Sequence, residues 1–232
     1  MVTVPAYPAT TRTILQALVE SPSGGPIGLY SLTNGLDVWR PCPPCTYRRL
    51  DYAISSGPAN ALYQANWISV FSPLGMDIGI YNPANGTTPP NGIHWTPDVA
   101  GQTALKQFIA GVGGQPGNLI VDAINANVSS SGALGRVVAV LRINVVFNTA
   151  GLLGETTPGF GNFIFTNPGS VDPLEGQTVN QILALADQIL AGNTAPPAPY
   201  TFASFVVLVE LLNEAFQGCV PSGWAGQHLL SP

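Results

Sequence analysis

Seven basic and twelve acidic side chains are all the charge that 232 residues carry, and this scarcity constrains the fold more than any motif does. A soluble domain ordinarily keeps about a quarter of its residues charged. Here 8% are charged and 46% hydrophobic, with 26 glycines and 22 prolines, so the polar surface must come largely from backbone, Asn, Ser and Thr. Such a surface is neutral and poorly defended against sticking to copies of itself. Disordered chains combine low hydrophobicity with high net charge. This chain has the reverse, which predicts a folded protein with ample core.

No apolar run reaches the roughly 18 to 20 residues that span a bilayer. The best candidates, residues 137–147 and 202–216, are broken by Arg142 and Asn144 and by Glu210, Asn213 and Glu214, and both read as core segments rather than transmembrane ones. All seven basic residues (Arg12, Arg40, Arg48, Arg49, Lys106, Arg136, Arg142) precede residue 143, and six acidic residues follow it. The first 142 residues therefore carry a net +1 (seven basic, six acidic) and the last 90 a net −6. Nucleic acid is excluded as a partner, since it needs clustered Lys and Arg; the Arg48-Arg49 pair reads as solvated. Residues 1–8 have no basic stretch followed by an apolar one, so no secretory signal is expected there. Two glycosylation triplets begin at Asn85 and Asn127.

Along the chain, residues 10–19 read as a short helix. Residues 28–32, 36–39, 67–71 and 76–81 are short apolar runs between turn signals, the pattern of a small antiparallel sheet. A Pro/Gly/Asn/Thr segment at residues 85–92 marks the division between a β-rich part, 1–92, and a mainly α-helical part, 93–232, within two domains or one continuous one. Thr96, Pro97 and Asp98 supply a capping hydroxyl, an N1 proline and a first-turn acid for a helix ending before Gly111. Residues 119–128 lean towards helix. In residues 133–148 the valines favour a strand, but Leu134, Val137, Val138, Leu141 and Val145 share one helical face. The clearest element is residues 178–191, where Val179, Ile182, Leu183, Ala186, Ile189 and Leu190 form one stripe and Gly192 stands at the C-terminal cap. A proline-rich loop separates it from a last helix, residues 201–217, with which it is expected to form an antiparallel hairpin. The fold class expected is α+β, a small antiparallel β-rich N-terminal part with a helical C-terminal part.

The run Val140-Leu141-Arg142-Ile143-Asn144-Val145-Val146-Phe147, followed by Leu174-Glu175-Gly176-Gln177-Thr178-Val179 and Ile182-Leu183-Ala184-Leu185-Ala186, resembles α-helical modules of bacterial secreted and surface proteins. In those a Leu/Asn-rich helix precedes a Leu-Asn-Gly-x-Thr-Val helix. Glu175 stands here where the motif has Asn, and one glycine, Gly192, where it often has two. The resemblance covers residues 133–228 and implies an extracellular or cell-surface setting; it transfers no catalytic residues.

Candidate chemistry centres on Cys42-Pro43-Pro44-Cys45. A CxxC near Trp39 has the look of a thiol-disulfide site, yet Pro41 and Pro43 around Cys42 suit an extended segment better than a helix start. A structural disulfide or buried thiols is the preferred reading. Cys42, Cys45, Cys219 and His228 would make a zinc ligand set, although the second pair is spaced too loosely to be diagnostic. The odd cysteine, Cys219, invites a cross-link to a neighbouring subunit. No nucleophile elbow, His-Glu-x-x-His or phosphate loop is present. His94 reads as a loop residue bonded to backbone, His228 as part of a frayed C-terminus, and Glu210 with Glu214 as a solvated edge. Trp39, Trp67 and Trp95 could stack on sugar rings, or could be core aromatics of the sheet.

These features predict a non-enzymatic structural protein that needs no metal or other cofactor. It would assemble as a homo-oligomer or polymer (filament, fibre or surface layer) at a bacterial surface or outside the cell, through neutral faces and head-to-tail contact of near-neutral and acidic ends. A glycan- or protein-binding surface module and a thiol-redox protein using Cys42 and Cys45 are the alternatives.

Overall fold

A helix of 18 residues, Gly132–Thr149, runs through the centre of the fold, and thirteen of its residues are buried. A computed structural model of the chain describes residues 43–232 except Ser55, Pro83, 85–87, 155, 156 and 158. The described residues belong to the unit Cys42–Pro232. The expected helix at 10–19, the expected strands at 28–32 and 36–39, and Trp39, Cys42 and the Asn85 triplet lie outside the described residues.

In chain order the elements are α1 (Arg49–Ala53), α2 (Pro58–Phe71), β1 (Met76–Gly79), β2 (Gly92–Trp95), α3 (Val99–Ala110), β3 (Ala123–Ile124), α4 (Gly132–Thr149), a 3-10 turn (Phe160–Asn162), β4 (Ile164–Phe165), α5 (Val179–Leu190), α6 (Phe202–Glu214), α7 (Gly223–His228) and β5 (Leu229–Leu230). The fold is mixed α+β, with helices dominant. β1 pairs antiparallel with β2, Met76 opposite Trp95 and Gly79 opposite Gly92, while β3 joins β2 in parallel at the sheet edge. β4 and β5 form a separate antiparallel pair. The expected division after residue 92 falls inside β2, and residues 80–91 connect two paired strands.

Helix α4 carries the core because it is apolar on every face. By length and composition it could cross a membrane, but 72% of it is buried inside this fold, where it packs against α1, α3, α5, α6 and β1. Each fully buried Val, Leu, Ile or Phe there contributes about 1.5–3 kcal/mol. The open question of strand or helix for 133–148 is thus decided by packing on all sides. Residues 67–71, expected as a strand, are the last turn of α2. Ala59, Tyr63, Trp67 and Phe71 recur every fourth residue and are buried, and Tyr63, Phe71 and Tyr52 bring their rings to Phe147 of α4. Helical spacing over 14 residues overrides the strand-like composition of five. Described residues before 92 are accordingly more helical than the expected β-rich part.

Helix ends follow the sequence more closely. Thr178 caps α5 through Gln181 in a capping box, and Gly192, at φ +80°, takes the left-handed conformation that suits glycine. For α3 the cap is Asp98, which accepts from the Gly101 amide, with Thr96 Oγ1 donating to the same carboxylate oxygen; the expected cap lies two residues earlier. Residues 119–128 are irregular but for β3, because the backbone there bonds outward: the Leu119 amide donates to the Leu190 carbonyl and the Asn125 amide to the His94 carbonyl. The expected hairpin of α5 and α6 is also corrected. Both pack chiefly on α4 and only marginally on each other, since α4 offers an apolar face to each.

Two buried asparagines of α4 pin irregular chain to it. Asn144 Oδ1 accepts from the Tyr47 amide at 3.0 Å and the Tyr52 hydroxyl at 2.8 Å, while Nδ2 donates to the Tyr47 carbonyl at 2.9 Å and Asn213 Oδ1 at 3.0 Å. All four capacities of this amide are used. Asn148 donates to the Leu153 carbonyl and accepts from the Phe160 amide. The segment entering α1 is fixed a second time by a disulfide between Cys45 and Cys219, 174 residues apart, and by the Thr46 amide donating to the Phe216 carbonyl.

Replacing Asn144 with Leu is expected to lower stability by about 3 kcal/mol, because Tyr47, Tyr52 and Asn213 are left with buried unpaired groups; chemical denaturation measures this. Reducing the disulfide, or Cys219→Ser, removes a long cross-link and is expected to cost about 2–5 kcal/mol in the same assay.

Candidate functional site

Two shallow concave surfaces lie where the C-terminal residues fold back beside chemically varied side chains. β5 pairs with β4, and the Thr166 amide donates to the His228 carbonyl, so α7 is drawn back onto α6 instead of fraying. This corrects the expected disordered tail. Ser222 caps α7 by accepting from the Ala225 amide, and the i, i+4 spacing of Trp224 and His228 sets their rings on one face.

Those rings stack. Trp224 lies 5.1 Å from His228 at 22°, and Phe165 of β4 lies 6.3 Å from Trp224 at 28° and 6.2 Å from His228 at 14°. The His228 Nδ1 donates to the Thr166 carbonyl at 2.9 Å, which sets the ring's orientation. Two shallow clefts meet at this stack along the outer face of α6. One, of about 360 Å³, is bordered by Leu211, Glu214, Gln217, Val220 and Trp224; the other, of about 180 Å³, by Asn167, Tyr200, Ser204, Val207, Trp224 and His228.

Behind the second cleft, Asp172 organises the 166–175 loop. It accepts from the Tyr200 hydroxyl at 2.7 Å, from Asn167 Nδ2 at 2.9 Å and from the Leu174 amide at 2.9 Å. Its partial burial pushes its pKa up, but these hydrogen bonds and the nearby His228 outweigh that and bring it below the ordinary carboxylate value. Burial raises the Tyr200 pKa, reinforced by the hydrogen bond to Asp172 and its charge, so the phenol stays a donor at neutral pH.

The structure disperses the residues expected to act together. Cys45 is bonded to Cys219, so neither is a free thiol for a CxxC redox pair, a zinc thiolate, or a cross-link to a neighbouring subunit. Cys42 lies outside the described residues, and no group of three metal-binding side chains occurs among those described. Trp67 and Trp95 are fully buried; Trp67 Nε1 donates to the Thr96 carbonyl and Trp95 Nε1 to the Ala126 carbonyl. They are core aromatics, and no sugar reaches them. Arg49, expected to be solvated, donates to the Ile109 and Gly111 carbonyls and closes the C-terminus of α3.

His94 sits in β2, not in a loop. Its Nδ1 is 2.6 Å from Oδ1 of Asp77, its cross-strand partner, and its ring stacks on Tyr81 at 5.3 Å. A His-carboxylate pair is two thirds of a hydrolytic triad. The far edge of this ring, however, abuts Gly75, where an added Cβ would lie 2.6 Å from Cε1 and 3.0 Å from Nε2, and no hydroxyl is bonded to it among the described residues. Glu210 is exposed, as expected, but Glu214 borders the larger cleft. The Trp224–His228 platform was not singled out from the sequence. Its signal was the i, i+4 aromatic pair after a serine cap, obscured by proximity to the chain end.

No protein-family model, curated protein or solved structure matches the chain.

The depressed Asp172 pKa contributes stability that is present above the ordinary carboxylate value near 4 and lost as pH falls through the lower, folded value. Tyr200→Phe removes one of the bonds responsible. Carboxyl NMR titration is expected to place Asp172 at a higher pKa in that variant, and the acid-unfolding midpoint at a higher pH.

Proposed function

We propose that this chain is a non-enzymatic structural subunit that associates with copies of itself, in an oxidising setting at a bacterial surface or outside the cell. The observation that carries the reading is the edge formed by β3. Ile120, Val121, Ile124 and Val128 are exposed within nine residues around it, and the outer side of β3 meets no strand among the described residues. Edge strands are ordinarily guarded by Lys, Pro or a covering element, because their unpaired backbone groups template pairing with another chain. Across residues 111–130 the only charge is Asp122. Its carboxylate turns inward to accept from the Gly92 amide at 2.6 Å.

The sparse charge elsewhere supports the same reading, for several of the cations are used internally. Arg49 and Arg136 bind backbone carbonyls, and Arg142 pairs with Asp187. Little charge remains outside to repel a second copy. The oxidising setting is supported by the Cys45–Cys219 bond, since such bridges persist outside the reducing cytosol. The non-enzymatic part is supported by the bonding of the two histidines, His94 to Asp77 and His228 to the Thr166 carbonyl.

Sedimentation velocity over a concentration series, with negative-stain microscopy, is expected to show oligomers or polymers growing with concentration. Ile124→Lys should weaken association by at least about tenfold, the effect of one guarding charge at an edge. A monodisperse monomer at every concentration, or association indifferent to both Ile124→Lys and Val128→Lys, would contradict the proposal.

A further inference from the structure

Beyond self-association, we infer that the two clefts meeting at Trp224 form a binding site for a neutral oligosaccharide, one sugar ring lying against Trp224 and the next crossing into the smaller cleft. Trp224 borders both clefts, and its indole lies near-parallel to the rings of His228 and Phe165, which hold it. An immobilised ring loses little conformational entropy when a ligand lies on it. Its electron-rich face attracts the partly positive C–H groups on the apolar side of a pyranose.

The polar groups at the rims choose among ligand classes. Gln217 and Glu214 border one cleft, and Asn167, Tyr200 and Ser204 the other. Tyr200 and Asn167 give their donors to Asp172, and Ser204 bonds Thr201, so the groups offered to sugar hydroxyls are chiefly acceptors, the side-chain oxygens of Asn167, Gln217 and Glu214, few in number around an apolar floor. No Lys or Arg borders either cleft, and Glu214 stands at the larger one with Asp172 behind the smaller. Sulfated, phosphorylated or uronate-rich chains would meet carboxylates without a compensating cation. A quaternary ammonium ion needs rings turned towards one another around it, whereas the three here face nearly the same way, as a platform. The site is distinct from the β3 edge, so the two proposals can fail separately.

The test is a titration of the full chain with a panel of neutral oligosaccharides of two to four units, in gluco, manno and galacto configurations. Sulfated and uronate-bearing counterparts and tetramethylammonium are run alongside, followed by calorimetry and by ligand-observed NMR. At least one neutral member is expected to bind with Kd below about 10 mM, weak but specific affinity for a shallow site. Trp224→Ala should weaken that binding at least about tenfold, Trp224→Phe less, and Gln217→Ala and Asn167→Ala measurably, with Gln217→Ala and Trp224→Phe retaining a native circular dichroism spectrum. If Trp224→Ala does not fold, the Phe and Gln217 variants decide the outcome. Binding by no neutral member, binding undiminished in the folded variants, or preference for the anionic or cationic probes would overturn the inference.

Discussion

The amide of Asn144 holds this fold in its arrangement. It sits in the middle of a helix buried on every side, where an unpaired polar group would cost more than a hydrogen bond returns. Its four bonds reach the backbone of Tyr47, the hydroxyl of Tyr52 and the side chain of Asn213, so one residue ties the segment entering α1 and the helix α6 to α4. Apolar packing alone would tolerate sliding of these helices along α4, since Val, Leu and Ile contacts are non-directional. The polar clamp admits a single register. The Cys45–Cys219 bond closes the same region from the other end of the chain.

Charge is used in the same economical way. Where helix α3 ends without a basic residue in its last turn, Arg49 arrives from α1 and binds two of its terminal carbonyls, a favourable placement for a cation at a helix C-terminus. Arg142, on the core helix, pairs with Asp187, whose pKa burial pushes upward against the pull of the arginine. That carboxylate also accepts from the Gly79 amide at 3.0 Å, joining β1 to α5. Charges that would ordinarily keep copies of a protein apart are thus employed as internal connectors. The neutral β3 edge and clefts bordered by no Lys or Arg remain outside.

Much of the helical part was legible because its signals are local. The apolar stripe of α5 and Gly192 each depend on residues within a few positions of one another, and the helix formed where they put it. Residues 67–71 misled because a short apolar aromatic run fits either a strand or one turn of a helix; only the longer spacing from Ala59 to Phe71 separates them. Residues 119–128 misled for the opposite reason. Their periodicity is helical in part, but their backbone is taken up by β2 and the end of α5, partners about 30 or more residues distant. The candidate site was hidden similarly: His228 looked like part of a loose chain end until β5 found β4.

By itself the sequence determined that this chain folds, that it is helix-dominated towards its C-terminus, and that it presents an outside poor in charge, since composition and short-range periodicity act before any long-range contact forms. Only the tertiary structure decided that Cys45 pairs with Cys219, that Trp67 and Trp95 are interior while Trp224 faces a cleft, and that arginines serve backbone carbonyls. Each of those outcomes depends on which distant segment arrives at a given side chain, and neither residue type nor spacing encodes that arrival. Burial turned the indoles at 67 and 95 into core, while a two-residue strand pairing left the one at 224 beside a cleft.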